Sequence, residues 1–325
     1  MRLLLLGGPK FVGRAVIDAA LAGGHDVTLF NRGTTGVDLH PELERIVGDR
    51  DGGLEGLLGR QWDAVVDTSG YVPRIVGASA NLLAAAVGHY VFVSSISAYA
   101  SFAGVVDEGS PLSELSEPGS EDVGAHYGAL KALSEREVER AFPGCSTLVR
   151  AGLIVGPHDP TGRFTYWPHR IARGGDVLVP GPAWRPVQFV DVRDLAEWML
   201  TAAETGLSGP FNVTGPSTMG AVVDAARRVA GSDARAVEVA DAFLAAQGVG
   251  EWTELPLWID PRNEETRHLH EVDTSRAAAA GLTLRPLDDT VAATLADAQL
   301  VDGVGLSAER ERELLDAWWS RGTAA

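Results

Sequence analysis

Tyr127 and Lys131 stand four residues apart in a stretch whose pattern predicts a helix over residues 124–142. At that spacing a phenol and an ammonium share one helix face, one turn apart. A phenol with its ordinary pKa near 10 is a poor proton-transfer group at neutral pH, and a nearby cation corrects this by favouring the phenolate, at about 1.4 kcal/mol per unit of lowering. Upstream, Ser94 and Ser95 close an apolar run over residues 90–93. A hydroxyl at that strand end could hold a reacting oxygen beside Tyr127, which suits proton transfer coupled to hydride transfer. The plainer reading of the pair is a half-buried tyrosine beside a solvated lysine. Three features in the required order argue for chemistry instead: a glycine-rich loop, the strand-end serines and the Tyr/Lys helix.

The loop is Gly7-Gly8-Pro9-Lys10-Phe11-Val12-Gly13, between an apolar run at residues 3–6 and a helical pattern. There a phosphate can meet free backbone N–H groups and the positive end of a helix dipole. Gly7 permits the tight turn and Gly13 the close packing of helix on sheet, while Lys10 stands where the usual fingerprint has its middle glycine. Phe11 and Val12 complete the expected cofactor-contacting loop. The residues ending the second apolar run select the dinucleotide. An acidic side chain there would bond the adenosine ribose of NAD, whereas this chain has Asn31-Arg32. Arg32 could pair with a 2′-phosphate, so NADP is expected, with NAD as the alternative. Asp49 and Arg50, after the third run, and Ser69, after the fourth, are further cofactor candidates. Asp49 is placed to bond the adenine amino group and could equally serve as a helix N-cap.

These groups need a scaffold. Residues 3–6, 27–30, 45–47, 64–66, 90–93 and 146–149 read as short strands, separated by helical patterns that include residues 75–87 and 124–142. Strands that are continuous apolar runs, alternating with helices, imply an α/β fold: a Rossmann-type, doubly wound parallel sheet covered on both faces. Residues 1–155 are expected to form the dinucleotide-binding domain, with residues 187–215 returning to it. Residues 156–186 and 216–325 then form a smaller, discontinuous C-terminal substrate lobe. The last helix is expected over residues 307–320.

At this point the sequence resembles the extended short-chain dehydrogenase/reductases of the NAD-dependent epimerase/dehydratase group, and more closely an atypical branch with a Gly-Gly-x-Lys/Arg-Phe-x-Gly loop. The resemblance rests on Gly7–Gly13, the 30–33 and 48–50 segments, Val93-Ser94-Ser95-Ile96-Ser97-Ala98-Tyr99, Tyr127 with Lys131, Gly156-Pro157, and residues 188–194. It implies that Ser95, four residues before Tyr99, is the catalytic hydroxyl. It implies too that Tyr127 carries the acid/base role and that Lys131 binds the cofactor ribose. Hydride would then move between nicotinamide and an alcohol or carbonyl carbon of a small molecule such as a sugar or nucleotide sugar, as a net reduction, an epimerisation or a dehydration. Some members of the branch resemble RNA-binding or regulatory proteins, so a catalytically silent dinucleotide sensor or RNA binder is the alternative. Family members often pair through helices, which makes a homodimer the expected assembly.

The substrate side is read from Arg163, Tyr166, Trp184 and Arg185. Aromatic rings and guanidinium groups together could stack on a base and hold a pyrophosphate, or they could simply pack and pair with acids. His158-Asp159 and His268/His270 lack a third ligand at a metal spacing, so no metal is expected. The chain has 325 residues and a net charge of −17. That charge disfavours nucleic-acid and anionic-membrane partners. The single cysteine, Cys145, excludes an internal disulfide and fits a reducing cytoplasm. No apolar run reaches the length needed to span a bilayer, and residues 3–6 are too short for a signal-peptide core.

Overall fold

A computed structural model describes residues 1–321 of the chain. Its main sheet has seven parallel strands: β1 (Arg2–Leu6), β2 (Asp26–Asn31), β3 (Glu44–Val47), β4 (Trp62–Asp67), β5 (Val87–Ser95), β6 (Ser146–Ala151) and, later in the chain, β10 (Gly209–Val213). Their order in space is β10-β6-β5-β4-β1-β2-β3. The leucines of β1 show why these strands read as unbroken apolar runs. Leu3 and Leu5 enter the core against α1 (Phe11–Ala22) and α5 (Val192–Thr205), and Leu4 and Leu6 enter the core against α2 (Pro73–Leu83) and α3 (Val123–Ala141). All four are fully buried, each stabilising the fold by about 1.5–3 kcal/mol.

Because the strands are parallel, their C-terminal ends share one edge. Leu6 is in register with Phe30 on one side and Asp67 on the other, and Asp67 is in register with Phe92. Strand order reverses at β1, between β2 and β4. This is where a crevice opens and where open α/β sheets bind ligands.

The smaller sheets lie in the second half. β7 (Leu153–Val155), β9 (Pro186–Asp191) and β11 (Gly215–Thr218) form a three-stranded sheet, and β8 (Asp176–Pro180) pairs with β12 (Arg235–Val239). Around them pack α4 (Tyr166–Ala172), α6 (Met219–Ala230), α7 (Asp241–Ala246), α9 (Leu287–Asp297) and α10 (Ala308–Ser320), while α8 (Ser275–Ala279) lies against β10. This second core draws its buried residues from Val155 onward. β9 separates the cores: Val187 and Phe189 enter the C-terminal one and Val190 enters the main one. Between them Gln188 exchanges two hydrogen bonds with the Val272 backbone, at 2.9 and 3.0 Å.

Two expectations need correction. The helix expected to reach residue 87 stops at Leu83, and Val87 instead opens β5, in register with Trp62. Of the segment expected to return to the main sheet, only α5 and β10 do so. β9 pairs antiparallel with β11 and parallel with β7, outside the seven strands.

Candidate active site

The β1–α1 loop is shaped by what its glycines avoid. Gly7 has φ +136°, a conformation that strains any L side chain, and a Cβ there would sit 2.3 Å from Thr68 Oγ1. A Cβ on Gly13 would sit 2.3 Å from the Gly8 carbonyl oxygen, so α1 approaches the loop only because Gly13 has none. Gly8 faces open space. Lys10 precedes the helix in extended conformation and no side chain caps the first turn, which leaves α1 amides free to meet an anion.

The loop opens into a cavity of about 380 Å³, within the range of small-molecule sites. Of the residues expected from sequence, Gly7, Gly8, Lys10, Asn31, Arg32, Asp49, Arg50 and Ser69 line it. Phe11, Val12, Gly13 and Lys131 do not. Thr34, Thr35, Tyr71 and Val72 line it as well and were missed by sequence reasoning. The available signal for Tyr71 was its position just past the end of β4, on the ligand-binding edge of the sheet.

Several lining groups are already committed. The Asn31 amide donates to the Gly7 carbonyl at 3.2 Å and its oxygen accepts from the Gly33 N–H at 2.9 Å, so it ties the ends of β1 and β2 together. Arg50 binds Asp67 through both guanidinium nitrogens, at 2.6 and 2.5 Å, with Ser79 and Tyr90 around it. Its charge is therefore shared with Asp67 at the cavity wall that it lines. Asp51 pairs with Arg74. Arg32 and Lys10 are exposed on the cavity wall.

Beyond the cavity lies the Ser95/Tyr127 pair. β5 ends at Ser95, whose Oγ accepts the Ser97 N–H at 3.1 Å and whose hydroxyl lies near enough to the Tyr127 phenol to favour its phenolate. Gly128 lets α3 come this close to the strand end, because a Cβ there would sit 2.0 Å from the Ser97 carbonyl oxygen. The N-terminus of α3 is fixed by Asp122, which accepts from the Gly124 and Ala125 N–H groups at 2.9 and 3.1 Å. Burial pushes the Tyr127 phenol above its usual pKa, and the nearby Ser95 hydroxyl pulls it back.

The expectation that Lys131 lowers Tyr127 is therefore not met in this arrangement. The buried Lys131 ammonium donates to the Gly70 and Val93 carbonyls, each at 2.7 Å. Burial lowers its pKa to about 8, against the pull of Asp67 and Glu135. A further buried network, not foreseen, ties α3 to the sheet. Ser94 donates to Glu135 at 2.5 Å, Arg150 grips the same carboxylate at 2.8 and 3.1 Å, and the Arg150 Nη1 reaches the Tyr99 hydroxyl at 3.1 Å.

The expected substrate residues fare differently. Tyr166 is buried in the C-terminal core against Trp167, and Arg185 is ion-paired to Asp241 and bonded to the Gly181 carbonyl. Trp184 is 75% exposed and lines no cavity found among the described residues. In this arrangement Tyr166, Trp184 and Arg185 take packing, surface and pairing positions respectively. Arg163 lies over the Trp252 ring at 5.3 Å and stays partly exposed.

The model of the NAD-dependent epimerase/dehydratase family matches residues 3–214, about two thirds of the sequence. The chain belongs to that family. Its epimerase/dehydratase fold is shared by solved structures of low sequence identity. A UDP-glucuronic acid 4-epimerase from Bacillus cereus, in complex with NAD, matches with a TM-score of 0.64 and 15% identity, covering 90% of this chain and 94% of that one. The enzyme WbmH from Bordetella bronchiseptica, in complex with NAD+, gives 0.62 and 20%, covering 91% and 97%. A UDP-glucose 4-epimerase from Thermotoga maritima, with UDP-glucose, gives 0.61 and 18%, covering 91% and 98%. No curated protein matches the sequence. Among the described residues of this epimerase/dehydratase family member, no helix is long and apolar enough to cross a membrane.

Proposed function

We propose that the protein is an NADP-linked oxidoreductase of the extended short-chain type, acting on an alcohol or carbonyl carbon of a small molecule. The observation that carries this reading is the approach of Tyr127 to the Ser95 strand end beside the glycine-loop cavity, with the Tyr127 ring 6.4 Å from that of the cavity-lining Tyr71. When bound, the nicotinamide supplies or accepts the hydride. The chain's own residues do the rest. Tyr127 exchanges the proton at the substrate oxygen, and Ser95 holds that oxygen in place. Lys131, whose ammonium the Gly70 and Val93 carbonyls hold in place, is the candidate to bind the nicotinamide ribose.

The cavity fits a dinucleotide on grounds of its own. The uncapped first turn of α1 and Lys10 suit the pyrophosphate, and Gly8 leaves its backbone approachable. NADP is favoured because the β2 end carries no carboxylate, Asn31 is committed to the backbone, and Arg32 presents its guanidinium at the wall. Asp49 is assigned to the adenine amino group. The substrate class is a sugar or nucleotide sugar. That choice is supported by the UDP-sugars in similar solved structures and by the Arg163/Trp252 stack, which could take a base or a phosphate. The net change is a reduction, or an epimerisation or dehydration in which the hydride leaves and returns. A cytoplasmic setting is proposed from the single, free and exposed Cys145.

Hydride transfer with NADPH or NADP+ and a panel of nucleotide sugars tests the reading. Tyr127→Phe should lower the rate by about 10²–10⁴-fold. A variant that retains the parent rate would overturn it.

A further inference from the structure

The chain contains two lysines, Lys10 and Lys131, and every other basic side chain outside its histidines is arginine. Both lysines belong to the candidate site, one on the cavity wall and the other on the Tyr127 helix. The surroundings of Lys131 are specific. Its Nζ lies 4.8 Å from the centroid of the Tyr71 ring and 4.8 Å from that of Phe92, within the range of a cation–π contact on both sides. The two carbonyls it bonds belong to the residues adjacent to those rings, Gly70 before Tyr71 and Val93 after Phe92. Gly70 lets the two halves close, since a Cβ there would sit 2.4 Å from Phe92 Cε2.

We propose that Tyr71 is a positioning residue for Lys131: its ring and that of Phe92 form a two-sided aromatic cage that fixes the ammonium between the dinucleotide cavity and the Ser95/Tyr127 pair. The proposal rests on the reading of Lys131 given above. Phe92 is fully buried, whereas Tyr71 is 45% exposed, lines the cavity and approaches the Tyr127 ring at 6.4 Å. Tyr71 is thus the cage wall that meets both sites. The charged groups acting on Lys131 are Asp67 from β4, Glu135 from α3 and Arg50. Arg50 already grips Asp67, and Arg150 grips Glu135, so each carboxylate is shared with a guanidinium. The rings and carbonyls make the direct contacts to the ammonium.

Competitive acetylation with acetic anhydride, followed by peptide mass spectrometry across pH, tests this on the full chain. Lys10 serves as the internal reference. Replacing Tyr71 by Leu removes the π face but keeps apolar bulk. It should lower the pH midpoint of Lys131 labelling and raise its labelling at pH 7 by about threefold to tenfold. Tyr71→Met, a second ring-less replacement, should do the same. Tyr71→Phe should stay within about twofold of the parent, and Lys10 should not change. The proposal is overturned if the ring-less variants label like the parent, or if Phe changes labelling as much as Leu does. A rise equal at every pH, with no movement of the midpoint, also overturns it, because that reports only a gap in the wall. The measurement uses neither substrate nor hydride transfer, so its failure is separable from a failure of the proposed function.

Discussion

Replacing Arg32 by Ala tests the cofactor assignment without any knowledge of the substrate. Arg32 is exposed at the cavity wall, so water screens it and a buried-pair magnitude does not apply. A hydrogen bond to a charged group contributes about 1.5–3 kcal/mol, and exposure argues for the lower end. At about 1.4 kcal/mol per factor of ten, loss of Arg32 should weaken NADPH binding about tenfold. NADH has no 2′-phosphate, so its Kd should change by less than about threefold. Lys10→Ala provides the contrast. On the proposed reading Lys10, on the cavity wall just before α1, meets the pyrophosphate common to both dinucleotides, and its loss should weaken both by similar factors. Arg32→Glu should go further than Ala, because a carboxylate repels the phosphate and can bond a ribose hydroxyl. Fluorescence titration of the reduced nicotinamide reads all of these, and the NADPH effect should shrink at high salt. Tighter binding of NADH than NADPH by the parent refutes the reasoning. Equal losses for the two dinucleotides in Arg32→Ala refute it as well.

Gly128→Ala should favour the helix locally by about 1 kcal/mol and yet damage the site. The added Cβ, 2.0 Å from the Ser97 oxygen, must drive α3 back by about 1 Å, and a misplacement of that size costs about 10²-fold in rate; a steady-state rate within threefold of the parent would contradict this. Lys131→Met should change how stability depends on pH. The folded amine titrates at about 8 and the unfolded one at 10.5, so the fold carries the cost of the buried charge below pH 8. That cost is relieved as pH rises from 8 to 10.5, where the unfolded chain binds the proton the folded chain has released. Over that window the parent should gain up to about 3 kcal/mol relative to the Met variant in urea unfolding, and a pH-independent difference would disprove it. Glu135→Ala strands the buried Arg150 guanidinium and should cost about 3–5 kcal/mol by the same assay. A loss under 1 kcal/mol would show that the network holds little.

Much of the nucleotide half was legible because its signals are local. Leu3–Leu6, Gly7, Gly13 and the strand-end serines declare themselves through residue type and neighbours. What failed was whatever depends on a distant partner. Residues 84–87 continue an apolar, alanine-rich pattern, so nothing local showed where α2 gives way to β5. Strand β9 reads as a strand wherever it pairs, and its sheet is decided by β7 and β11. That Arg50 pairs with Asp67, 17 residues on, is visible only once the strands are assembled. Tyr166 and Arg185 carry the chemistry of a binding site, but the C-terminal core and Asp241 take them up. Order along the chain suggests that Tyr127 meets the Ser95 strand end, whereas the space that Gly128 leaves for α3 beside Ser97 is visible only in three dimensions.

β9 is a party wall one strand thick, with alternate side chains answering to different neighbours. Remodelling the far side through Val187 or Phe189 would leave the side that receives Val190 with its own packing surface intact. A lineage could therefore reshape the C-terminal lobe while the half that carries the glycine loop keeps its shape, provided that this shared partition stays in register.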